Sequence, residues 1–239
     1  MLAWPLERAA EVLEAWREWT EALPDETTSL GRLLQLPPIP DIPEPLRGRS
    51  FVVVESVHLG EEAVGAEQLA PLRALGPEFD TFAMIPATGL HKLHMDPEHP
   101  VPGAGDGMLL SELTPEAVET LVSVAGPGTG SPLLSLEVRH LGGAIARPGG
   151  GALDSIDAGF ALYGVGIAMS PETAVAIHER LDAVRAAMSR WDAGRGYLNF
   201  VERPTDSARL FPADAHRRLR QVKAAYDPSG MFRANHPIG

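Results

Sequence analysis

Two pairs of β-rich segments, and the connectors inside each pair, constrain this chain most. Residues 29–36 and 51–57 form the first pair, and residues 133–141 and 160–169 the second. The first connector contains PPIPDIPEP at 37–45, which can be neither helix nor central strand and reads as a stiff crossing of the surface. The second contains the glycine-rich run GGAIARPGGG. Neither the proline-rich nor the glycine-rich connector reads as the helical crossover that parallel neighbours require, so the strands are expected to run antiparallel. Segment 51–57 is β-branched and nearly continuous, which predicts a strand buried on both faces.

Helical patterns alternate loosely with these strands. Pro5-Leu6-Glu7-Arg8 opens the first, and Leu6, Ala9, Leu13, Trp16 and Ala22 or Leu23 mark one apolar face. Of Trp16 and Trp19, one is expected in the core and the other at its edge. Further helices are predicted at 61–75, at 114–124 behind the capping sequence Thr114-Pro115-Glu116, and from Ser170-Pro171-Glu172 to about Trp191. Residues 79–85 read as extended, and 86–109 as a long irregular loop of a kind that is commonly functional or mobile. The fold class expected is α+β: an antiparallel sheet with helices packed on one face, a sandwich derived from the ferredoxin-like arrangement.

Composition excludes several functions. The net charge of −12 disfavours nucleic acid or an anionic membrane as partner. No apolar run approaches the roughly 20 residues that cross a bilayer. MLAWPLERAA lacks the basic start and apolar stretch of a signal peptide, so a cytoplasmic protein is expected. With no cysteine, disulfides, thiolate catalysis, cysteine-held metals and a cysteinyl flavin link within this chain are all excluded.

Candidate chemistry gathers at few places. Tyr197 and Asn199 are two apart, so on a strand or extended loop both would face one side. Glu137 and Arg139 share a strand face that could line a polar substrate cavity or make a plain ion pair. Tyr163 stands on the last strand, in a pocket or in the core. His91, His94, Asp96 and His99 suggest a metal, but Pro97 and Pro100 break helicity there, so a solvated loop is expected and no metal site. The last helix carries Leu219, Val222 and Tyr226 at helical spacing. It stops at Asp227-Pro228-Ser229-Gly230, leaving Phe232 and Ile238 to dock the tail.

The Tyr-x-Asn of GYLNFVE and the run RLRQVKAAYDPSGMFRANHPIG resemble the C-terminal berberine-bridge-enzyme-like segment of FAD-linked oxidases. Softer similarities at AWPLERAAEVLEAWREWTEALPDE, DPEHPVPGAGDG and LEVRHLGGAIAR extend the resemblance over the whole chain, chiefly to bacterial members. It implies a substrate-binding domain at 1–194 and a C-terminal segment at 195–239 that folds back toward a flavin. In that family a separate N-terminal half binds FAD and supplies its covalent attachment; no counterpart is visible here. Pro148-Gly149-Gly150-Gly151 opens no helix and so lacks the context of a phosphate cradle. Met1 falls where family chains are already in mid-domain, which points to a truncated product, a misassigned start, or one member of a split pair.

By the same resemblance Tyr197 and Asn199 line the flavin, with Tyr197 acting on substrate. Family members often carry a second tyrosine after the Asn; here it is Phe200. Several plant members hold a Glu or Gln acid/base late in the domain; with Leu162-Tyr163 aligned, Gly166 stands at that position. The implied function is the substrate-binding portion of an FAD-dependent oxidase that takes hydride from an alcohol or similar carbon. Its partners would be a small-molecule substrate and an FAD-binding domain or subunit encoded upstream, with FAD bound weakly or not at all by this chain alone. The alternative is a non-catalytic α+β module that self-associates, as a homodimer, through an exposed sheet face.

Overall fold

The computed structural model describes residues 1–40, 42–97 and 99–238. Seven strands form one sheet: β1 (Leu2–Pro5), β2 (Thr27–Gln35), β3 (Ser50–His58), β4 (Phe79–Asp80), β5 (Gly103–Leu110), β6 (Ser135–His140) and β7 (Phe160–Ile167). Their order across the sheet is β4-β1-β3-β2-β6-β7-β5, and every neighbouring pair is antiparallel. The two sequence pairs are thus hairpin-like neighbours, β2 with β3 and β6 with β7, joined to each other through β2 and β6. Two strands lie outside the expected set. β1 precedes the first helix, and β5 occupies the end of the segment read as a loop, because Gly103, Gly105 and Gly107 mask its period-two pattern.

Helices cover one face. These are α1 (Ala9–Thr20), α2 (Glu62–Arg73), α3 (Pro115–Ala125) and α4 (Pro171–Ala187), with α5 (Ala213–Tyr226) in the tail. Thr114 accepts from the Ala117 N–H, and Ser170 forms a reciprocal capping box with Thr173, so α3 and α4 start where their sequence signals place them. Alternate strand residues Leu2, Trp4, Leu33, Val52, Val54, Leu136, Val138, Leu162, Met108 and Leu110 join Leu13, Trp16, Leu121, Ile177 and Leu181 in one core. Trp16 is fully buried, its ring nitrogen donating to Ser29, while Trp19 sits at the edge and donates to the Gln68 carbonyl. Gly31 belongs to this interface: a Cβ there would lie 2.8 Å from Leu13 Cδ2.

The opposite face is helix-free, and the intervening residues of the same strands point to it. Its β3 end holds Ala3, Leu34, Phe51 and Val53 under Leu36 and Leu46, and its β5 end holds Leu109, Leu141 and Ala161 under Tyr197 and Phe200. Between these two apolar patches the face is charged. No helix among the described residues is long and apolar enough to cross a membrane.

Candidate functional site

The pairing register lays Val53, Arg32, Glu137, Tyr163 and Gly107 side by side across five strands of the helix-free face. The adjacent row contributes Glu55, Leu30 and Arg139. Arg32 and Glu137 are 3% and 2% exposed, values at which charges persist only when paired. Arg32 Nη2 lies 2.5 Å from Glu55 Oε1, and Arg139 Nε donates to Glu137 Oε1 at 2.7 Å. Glu137 and Arg139 therefore share a face, as their spacing requires, and are bonded to each other.

His94 completes the cluster from the segment that precedes β5. Its Nδ1 donates to Glu55 Oε2 at 2.9 Å, and its Nε2 lies 3.1 Å from Glu137 Oε2. Arg32 donates to the His94 carbonyl at 3.2 Å. Contact with Glu137, then Glu55, raises the His94 pKa to about 9 against the opposing effects of burial and of Arg32. Burial would push Glu137 up, but His94 and Arg139 together hold it below the ordinary glutamate value. The histidine segment is thus not simply solvated. His91 turns away to the Thr88 carbonyl.

A second group stands beside the cluster. Tyr163 donates to Glu202 Oε1 at 2.7 Å, and Glu202 Oε2 accepts the Gly105 N–H at 2.9 Å. Only glycine allows this meeting, since a Cβ at position 105 would lie 2.4 Å from the Tyr163 oxygen. Burial, then Glu202, raises the Tyr163 pKa, so its phenol holds its proton and is a donor. Tyr163 is half-buried on the helix-free face, outside the helix-side core. Phe200 stacks on it at 4.7 Å, Tyr197 meets Phe200 edge-on at 5.0 Å, and the Arg139 guanidinium lies 5.0 Å from the Phe200 ring centre.

Tyr197 and Asn199 do not lie on a strand. Tyr197 precedes a single 3-10 turn, Leu198–Phe200, that contains Asn199, and the two meet through an Asn199 to Tyr197 hydrogen bond of 3.1 Å. Gly166 stands apart from this group. It points to the helices, where a Cβ would lie 2.6 Å from Ile177 Cγ1, so no side chain at that position reaches this face. Arg32, Glu55 and Glu202 were not foreseen. The signal for Glu55 was legible, because a carboxylate interrupting the apolar run of β3 needs a partner on the sheet.

The tail is fastened by polar contacts as well as by buried Val201 and Leu210. Arg203 donates to buried Asp106 and to Asp182 at 2.7 Å each, and Arg185 also donates to Asp106. His236 is buried and bonded to the Val201 carbonyl, while Ser207 donates to the Pro237 carbonyl. Of the two residues expected to dock the tail, Phe232 is 73% exposed and Ile238 is half-buried, and Tyr226 of the helix's expected apolar face is 85% exposed. No residue of α5 is buried.

Residues 196–239 match the family described as "Berberine and berberine like". No curated protein matches the chain. Its fold is shared with Physcomitrella patens BBE-like 1 (14% identity, TM-score 0.77) and with 6-hydroxy-D-nicotine oxidase from Arthrobacter nicotinovorans (18% identity, TM-score 0.73). In both cases 100% of this chain covers 53% of the other. A variant of berberine bridge enzyme aligns with 99% of this chain and 54% of its own length, at 13% identity and a TM-score of 0.69. The chain thus carries a berberine and berberine-like segment on a fold that spans about half the length of berberine-bridge-enzyme-like structures.

Proposed function

We propose that this chain is the substrate-binding portion of an FAD-dependent oxidoreductase acting on an alcohol or similar carbon, and that it works with an FAD-binding domain or subunit. The observation that carries the reading is the helix-free face. A buried charged row runs beside the Tyr163 phenol, against which the segment that matches the berberine and berberine-like family sets the Glu202 carboxylate and the Phe200 ring. Residues 1–194 are read as the substrate-binding domain and 195–239 as the segment packed on it, in a cytoplasmic protein.

The residues suit one side of a flat ring but not the rest of the cofactor. Tyr197, Phe200 and Tyr163 supply aromatic faces, and Asn199 with the Tyr197 hydroxyl supplies the polar edge. The glycine run that could have cradled phosphate is already capped: Gly149 and Gly150 both donate to the Asp154 carboxylate. A partner would therefore hold the pyrophosphate, and α5 with the residues that follow it, where Val222, Tyr226, Met231 and Phe232 are exposed, offers it a docking surface. When bound, the flavin accepts hydride. Tyr197 and Tyr163 position the substrate hydroxyl, Glu202 orients Tyr163, and Glu137 and Arg139 bind polar groups of the substrate.

Co-expression with the reading frame directly upstream is expected to yield a yellow complex that retains flavin, whereas the isolated chain titrated with FAD binds it weakly or not at all. Tight stoichiometric FAD binding by residues 1–239 alone would overturn the division of labour. The alternative, a non-catalytic module that self-associates as a homodimer through the helix-free face, predicts a dimer of the isolated chain and no flavin in the co-expressed product.

A further inference from the structure

We propose that residues 83–97 are a lid over the charged row, closed by a single bolt, the imidazolium of His94. Among the described residues, the side-chain hydrogen bonds and ion pairs that tie this segment to the sheet all involve His94: to Glu55 on β3, to Glu137 on β6 and from Arg32 on β2. The rest of the segment gives little hold. Met84, Ile85, Leu90 and Met95 are all exposed, and none of its residues is buried. A six-residue 3-10 run, Ala87–Lys92, is its only regular structure, longer than such helices usually persist without support.

Backbone strain adjoins the bolt. Met95 has φ 56°, the only positive φ at a non-glycine position among the described residues. A methionine in that conformation persists where its surroundings fix it, and here the neighbour that is fixed is His94. Release of one imidazole would therefore let the turn relax and the segment lift, exposing Arg32, Glu55 and Glu137.

The charge balance sets when the bolt holds. Glu55 and Glu137 attract the imidazolium, Arg32 and Arg139 oppose it, and Asp96 on the segment itself adds a negative field felt by Arg32. A neutral imidazole can donate to one carboxylate at most and leaves the facing oxygen of the other without a donor from the lid, so the lid is closed while His94 is protonated and opens as it loses its proton. The proposal stands on this chain's own contacts and does not depend on the flavin reading.

The sequence supplies its own reporter. Lys92 is the only lysine or arginine between Arg73 and Arg139, so trypsin cleavage inside the lid gives a unique pair of fragments. Limited trypsinolysis of the full chain near neutral pH is expected to cut His94→Gln at Lys92 about tenfold faster than wild type, with cleavage elsewhere unchanged. Glu137→Gln is expected to act in the same direction. In wild type, the Lys92 rate, normalised to a peptide substrate, is expected to rise toward the variant's as pH passes about 9. Equal Lys92 rates in wild type and His94→Gln would overturn the proposal, as would a wild-type rate that stays flat across that pH range. If His94→Gln fails to fold, the wild-type pH series decides the matter alone.

Discussion

At the scale of single residues, the molecule invests in burying charge where burying carbon would be simpler. Removing one member of a buried pair leaves its partner unsolvated, which costs about 3–5 kcal/mol. Arg32→Ala is therefore expected to destabilise the fold by that order, read as a lower urea midpoint, whereas Tyr197→Phe should change it by less than about 1 kcal/mol. His94 adds a pH signature. Its folded pKa of about 9 exceeds the ordinary 6.5, so its contribution is fully present below 6.5 and lost as pH rises through 9. Glu137 has the opposite sign: its pKa is depressed, so its contribution is present above the ordinary 4.5 and lost as pH falls through the lowered value. Urea midpoints of wild type and His94→Gln should differ most near pH 6 and converge toward about pH 10; parallel curves would contradict the assignment.

At the scale of elements, the fold was legible where period and punctuation agreed. Paired strands with connectors unable to hold a helix implied an antiparallel sheet, and the caps at Thr114 and Ser170 placed two helices correctly. β5 was hidden because three glycines carry no hydropathy signal, although glycine is what lets Tyr163, Glu202 and Phe200 approach that strand. Half of the site was equally visible: Glu137 and Arg139 follow from strand spacing. His94 and Glu202 sit on irregular segments, and no local pattern says which sheet residue such a side chain will meet. Gly166 makes the distinction between faces testable. Gly166→Glu is expected to lower stability by more than about 2 kcal/mol by forcing a carboxylate against Ile177, with no gain of function. A stable variant of unchanged melting temperature would mean that position 166 faces the other way.

At the scale of the whole molecule, one face is finished and one edge is not. The helix-covered side is a closed apolar core, whereas the tail holds on through Arg203, His236 and Ser207 and leaves α5 without a packed side. That helix carries Arg217, Arg218, Arg220 and Lys223 in a chain of net charge −12, beside exposed Val222 and Tyr226. A basic rim around a small apolar stripe suits a protein partner. Removing the stripe by Val222→Asp with Tyr226→Asp should leave the isolated chain folded, because neither side chain is buried, yet weaken such a complex at least about tenfold in a pull-down titration. The most direct measurement of the central claim is the flavin content of the complex purified through a tag on this chain after co-expression with its upstream reading frame. Close to one flavin per complex is expected, with a visible spectrum altered by Tyr163→Ala on the helix-free face. A colourless complex, or a flavin spectrum indifferent to that substitution, would contradict it.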